Sequence, residues 1–199
     1  METKAPLLGE PLALELANAA YAVRGRPVDG MRTLTELTAW LHDLRARLTT
    51  PLADGDLHTF TDEDLLRIRA LRAAIRDVAT AVVRSEPPPA EAVEEINRQV
   101  RLAPRWHELG WSDGPYSREC TTASPRFSVL AELASSAVEV FAGQQRAQLR
   151  ACEAPGCVLF FVKDHARREW CSTACGNRVR AARHYEKHKR VSERPDPAE

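Results

Sequence analysis

Apolar residues recur at helical spacing through most of the first 149 positions. Leu12, Leu16, Ala19, Ala20 and Val23 predict a helix over 10–23, followed by a loop at 24–30 rich in Gly, Pro and charge. Thr33 can cap a second helix over 34–48, with Leu34, Leu37, Leu41, Leu44 and Leu48 on one face and Trp40 on its flank. A connector follows, and then Thr61 opens TDEDLL, a capping-box pattern with Asp64 in the usual Glu position. The third helix is expected over 62–84, with a stripe of Leu65, Ile68, Leu71, Ile75, Val78 and Val82 and with Arg72 at the stripe's edge. Pro87, Pro88 and Pro89 stop it. A fourth helix spans 90–103 with Val93, Ile96, Val100 and Ala103 inward. The period is lost over 104–123, where Asp113-Gly114 between aromatic segments predicts a β-hairpin. Ser124-Pro125 starts a fifth helix over 125–149, packed through Val129, Leu130, Leu133, Ala137, Val140 and Phe141. No internal repeat is visible, and the polar end, 191–199, reads as disordered.

Composition adds little until it is divided along the chain. With 199 residues, 44% hydrophobic and 28% charged, the protein has the make-up of an ordinary globular chain with a real core. The formal net charge of zero argues at first against nucleic acid. Yet residues 1–145 hold 16 Lys+Arg against 21 Asp+Glu, whereas residues 146–190 hold 11 against 4. An acidic body thus precedes a basic module, a pattern of nucleic-acid or membrane partners. No apolar run approaches the ~20 residues of a membrane span, and the start lacks the features of a signal peptide, so a cytoplasmic protein is expected.

Four of the five cysteines, Cys152, Cys157, Cys171 and Cys175, lie in that basic module as C-x4-C, a gap of thirteen residues, and C-x3-C. Two close pairs separated by a short gap match a structural Zn2+ site, because a turn presents two thiolates together and four soft ligands close a tetrahedron. A redox-active or disulfide cluster is the competing reading. His165 is more simply a surface residue than an outside ligand, since a four-cysteine site is already closed. Pro155-Gly156 supplies a turn, Val158–Val162 a strand, and Ser172-Thr173 a helix start. The expected fold is therefore mainly α: a helical N-terminal domain with a small β-hairpin over 1–149, a treble-clef-like zinc finger over 150–190, and a disordered tail over 191–199. On the last helix Arg180, Arg183, Lys187 and Arg190 form one stripe, with Cys175, Ala181, Ala182 and Tyr185 opposite. Gly176 lies beside the basic stripe and leaves it open. Arg178 projects toward the packed side as a structural residue bonding carbonyls or Asp164. Arg167 and Arg168 are candidates for further phosphate contacts. The mostly alanine apolar face is too weak to anchor in lipid, which leaves nucleic acid as the partner and excludes a membrane.

Cys175-Gly176-Asn177-Arg178, within WCSTACGNRVRAARHY, is similar to the CGNR zinc-finger family. LALELANAAYAVRGRPVDGMRTLTELTAWL resembles the opening of the helical ABATE domain that precedes such fingers. The resemblance covers nearly the whole chain. It implies a bacterial transcriptional regulator, described as stress-induced, with a DNA-binding finger whose zinc ligands are the four cysteines. The family's usual Ser after Asp164 is replaced, Asp164 being followed by His165-Ala166-Arg167.

The leading expectation is a non-enzymatic DNA-binding regulator whose body serves regulation, ligand sensing or dimerisation. An RNA-binding or protein-interaction module is the alternative, since such fingers serve all three uses. A small-molecule effector could sit among the hairpin aromatics Trp106, Trp111 and Tyr116, and a homodimer would extend a short DNA contact. Cys120 reads as a buried small hydrophobe. No nucleophile, paired-carboxylate set or phosphate loop points to catalysis.

Overall fold

The structure is a computed structural model that describes residues 5–192, with side chains described through residue 185. Seven helices and three two-stranded antiparallel sheets are present among these residues. The chain runs α1 (Leu12–Asn18), β1 (Ala20–Val23), β2 (Arg26–Asp29), α2 (Leu34–Leu44), a short α3 (Asp54–Leu57), α4 (Asp62–Arg84) and α5 (Ala90–Val100). It continues through the hairpin β3 (Trp106–Trp111) and β4 (Pro115–Cys120), α6 (Pro125–Ala142), the pair β5 (Leu149–Ala151) and β6 (Phe160–Val162), and α7 (Thr173–Ser192). The part of the expected disordered tail beyond Ser192 lies outside the described residues.

Local chemistry sets the helix starts. Thr33 and Thr61 each accept the backbone N–H three residues on, and Glu36 and Asp64 bond back to the cap, so both ends are closed capping boxes. The predicted 62–84 helix is α4 in full. Its face of Leu65, Ile68, Leu71, Ile75 and Val78 is buried against α1, α5 and α6. Trp40, expected on the flank of α2, is fully buried. The expected connector carries α3 and buries Leu52, Leu57 and Phe60. Val93 was expected inward but is 39% exposed.

Two helices end well short of the periodic pattern, two others by three or four residues (α2 at Leu44, α5 at Val100), and one cysteine lies outside the core. The first helix stops at Asn18 rather than residue 23, and the expected loop at 24–30 is half of a hairpin. Arg24 and Gly25 both have positive φ, 53° and 76°, the geometry of a primed hairpin turn that lets β1 pair with β2. Gly30 closes the hairpin by donating to the Ala19 carbonyl, and a Cβ there would lie 2.8 Å from that of Ala5. Arg72, placed by pattern at a wet edge, is buried and forks onto Asp29 of this hairpin at 2.6 and 2.8 Å. The fifth helix likewise stops early. At Gly143 the backbone folds so tightly that a Cβ would meet the Glu139 carbonyl oxygen at 2.3 Å, and a 3-10 turn over 144–148 leads into β5. Finally, Cys120 ends β4 half-exposed, with its Sγ 3.9 Å from the Arg118 carbonyl, rather than in the core.

The core is continuous across the point where body gives way to basic module. Phe160 and Val162 of β6 belong to the same buried cluster as Leu14, Leu71, Ile75 and Leu130. Asn18, fully buried, donates its Nδ2 to the Phe160 carbonyl and accepts the Phe160 N–H on Oδ1, both at 2.9 Å. This amide ties the last residue of α1 to the backbone of β6. Arg76 reinforces the seam by stacking over the Phe160 ring, 5.3 Å from its centroid, and donating to the carbonyls of Ala17, Ala20 and Val158.

Candidate metal centre and basic helix

Two turns present the four thiols. In the first, the Cys152 N–H donates to Leu159 at 2.8 Å and the Cys157 N–H to Ala154 at 2.9 Å, with Gly156 at φ 70° making the reversal. In the second, the Ser172 hydroxyl accepts the Cys175 N–H at 3.3 Å, capping α7 and drawing Cys175 back toward Cys171. All four Sγ atoms lie within 4.8 Å of one another, with Cys157–Cys171 at 3.8 Å and Cys171–Cys175 at 3.5 Å. A tetrahedron built on Zn–S bonds of about 2.3 Å has edges of about 3.8 Å. The sulfurs are thus placed to hold a metal ion, and the donor set fits a soft, tetrahedral one.

The electrostatics point the same way. Hydrogen bonds from Cys157 and Cys171 lower the Cys152 thiol far below its ordinary value. The bond to Cys152 pushes Cys157 up to about 11, and bonds to Cys152 and Cys157 push Cys171 up strongly. One thiolate is favoured here, but further ones repel it at short range, and a cation relieves that repulsion. Arg178 supplies part of that relief, since its Nη2 donates to the Cys175 Sγ at 3.1 Å. It was expected to bond carbonyls or Asp164 and instead bonds a ligand sulfur. His165 is exposed beside Asp164 and outside the cluster.

A small core supports the centre: Ala154, Leu159, Phe161 and Val179 are buried with the cysteines, and Trp170 packs against them. Gly176 is buried beneath Trp170, and a Cβ there would sit 3.1 Å from Trp170 Cδ1. Its missing side chain admits the indole, and does not open the helix to a ligand. Asn177 Oδ1 accepts from Arg180. The packed face of α7 is Cys175, Gly176 and Val179. Ala181 and Tyr185, expected to pack, are exposed, because the finger covers only the first turns of a 20-residue helix.

The basic residues divide by exposure. Arg167, Arg180 and Arg183 are exposed. The side chains of Lys187 and Arg190 lie outside the described residues, although the α7 backbone runs through both. Arg168 turns inward, contrary to its expected phosphate role. It donates to the carbonyls of Val162 at 3.0 Å and Cys171 at 3.3 Å, pairs with Glu10, and lies 5.0 Å from the Phe161 ring centroid. Glu10 in turn accepts the Val162 N–H at 2.9 Å. Burial raises the Glu10 carboxyl above its usual value despite the opposing pull of Val162 and Arg168. The hairpin aromatics Trp106, Trp111 and Tyr116 are 42%, 73% and 48% exposed.

Fold and site together define a helical body joined through a shared core to a four-cysteine, finger-like metal module. Residues 10–144 match the family model ABATE, described as "Putative stress-induced transcription regulator", and residues 148–188 match the CGNR zinc finger. The chain belongs to the ABATE family and carries a CGNR finger at its C-terminal side. Among curated proteins, none matches it significantly. No helix among the described residues is long and apolar enough to cross a membrane.

Proposed function

We propose that this chain is a cytoplasmic, non-enzymatic transcription regulator that binds duplex DNA through α7, with residues 1–149 as the regulatory body, 150–190 as the finger and Zn2+ as its structural metal. The observation that carries the reading is the convergence of the four sulfurs at the root of a helix whose outer side bears exposed Arg180 and Arg183. Cys152, Cys157, Cys171 and Cys175 would hold the ion, whose contribution is to fold the module rather than to act on a substrate. Arg178 holds the helix to the metal centre by bonding a ligand sulfur, and Asn177 accepts from Arg180 on the exposed side of the same helix. Arg180, Arg183, Lys187 and Arg190, with Arg167 from the preceding loop, meet phosphates. Such contacts displace counterions and make affinity fall steeply with salt.

The test is fluorescence anisotropy on labelled duplex DNA over a salt series, with the zinc-loaded protein and an Arg180→Ala/Arg183→Ala/Lys187→Ala variant. The triple variant should bind at least about tenfold more weakly and with a shallower salt slope, by about two to three. Unchanged affinity and slope would exclude this helix face. Tighter binding to structured RNA than to duplex DNA in direct competition would move the reading to an RNA-binding finger.

A further inference from the structure

We propose that the body contains a binding site for an aliphatic carboxylate, in a cleft formed by the C-terminal halves of α4 and α6, by α5, and by the turn into β5. The cleft has a volume of about 870 Å³, within the range of small-molecule sites. Its walls include Val82, Val93, Ile96, Val138 and Phe141. Val93 and Val138 are 39% and 41% exposed, although Ile96 on the one helix and Leu133, Ala137 and Val140 on the other are buried. The periodic pattern marks Val93 as inward-facing, and it does face inward, but onto an open cleft.

Charge selects the ligand. Arg146 and Arg150 stand on one wall against a single carboxylate, Glu86. Arg150 is fixed there by donating Nη1 to the carbonyls of Ala147 and Leu149 at 2.9 and 2.7 Å. Two guanidiniums and one carboxylate leave one net positive charge at an apolar cleft, which favours a monoanion with an apolar body and disfavours a cation. Valine, isoleucine and leucine outnumber the one aromatic, Phe141, so an alkyl chain fits the lining better than a ring that seeks stacking partners.

The position also bears on the metal module. Leu149 lines the cleft and pairs with Val162, and the strand it begins leads directly to Cys152. Binding itself does not depend on α7 touching DNA, so failure of one reading leaves the other standing.

Decanoate, kept below its micelle concentration, is the probe, and backbone amide NMR of the full zinc-loaded chain is the readout. Saturable shifts are expected at Val82, Val93, Val138 and Leu149 with a dissociation constant below about 1 mM, as a ligand of this size allows. Arg146→Glu, at an exposed position, should weaken binding at least tenfold without loss of spectral dispersion. Val138→Trp, which fills a half-exposed part of the wall, should abolish it. Absence of saturable shifts, shifts centred on the β3–β4 aromatics, or equal affinity in Arg146→Glu would overturn the proposal.

Discussion

Replacing Arg168 with Ala separates two roles that look alike in sequence. If Arg168 were a phosphate contact, its loss would weaken DNA binding and leave stability alone. The structure instead has it joining the body's Glu10 to the carbonyls of Val162 and Cys171. Glu10 is 2% exposed and the Arg168 side chain 19%. Removing one partner of a well-buried pair costs about 3–5 kcal/mol. The remaining access to water, and the ability of Glu10 to take up a proton, reduce this to about 2–4 kcal/mol. For a chain of this length each kcal/mol shifts Tm by roughly 2–4 °C, so a fall of about 4–16 °C is expected. The sign with pH follows from the raised Glu10 pKa. Without Arg168 the ionised carboxylate is penalised further, so the stability gap to wild type is widest near neutrality. It narrows as pH falls and Glu10 protonates in both folded and unfolded chains. Thermal unfolding followed by circular dichroism, with Glu10→Gln and the double variant completing a cycle, measures the pair directly. A variant that melts within about 1 °C of wild type while losing DNA affinity would refute the clamp.

Cys171→Ser should release the metal, read as loss of zinc from the dialysed protein. Because β6 lies in the body's own core, the body should also lose stability, a coupling that a detached finger would not show; full metal retention would contradict the ligand assignment. Asp29 is lowered on balance: burial raises it, but the Arg72 hydrogen bonds, the Met31 N–H and the nearby Arg72 and Arg69 charges outweigh that. Its contribution is therefore present above the unfolded Asp pKa of about 3.9 and lost as pH falls through the lower folded value. In Asp29→Asn, acid titrations of stability should lose that component, and an unchanged acid limb would place the carboxylate outside the stability balance.

The four-cysteine spacing, the Thr33 cap, the Thr61 capping box, the long α4 stripe and the Asp113-Gly114 hairpin were legible because each depends on residues close in sequence. Turn chemistry, cap geometry and a 3.6-residue period are local properties. The early end of α1 was not legible, because residues 20–23 carry a helical apolar period yet pair with 26–29 in a hairpin, and the partner of Asn18 lies in a strand 142 positions away. The inward turn of Arg168 was hidden for the same reason, its carboxylate partner being Glu10, 158 positions earlier. Charge composition could rank Arg168 with Arg180 and Arg183; only packing against Phe161 and a buried Glu10 could remove it from that group. The cleft beside Val93 likewise needed three helix ends and a strand brought together. Sequence by itself thus determined the long helices and the β3–β4 hairpin, the metal ligands' spacing and the acidic–basic division of the chain. Tertiary structure decided which cations face solvent, and it joined finger and body through one core, because desolvation and pairing depend on neighbours that chain order does not reveal.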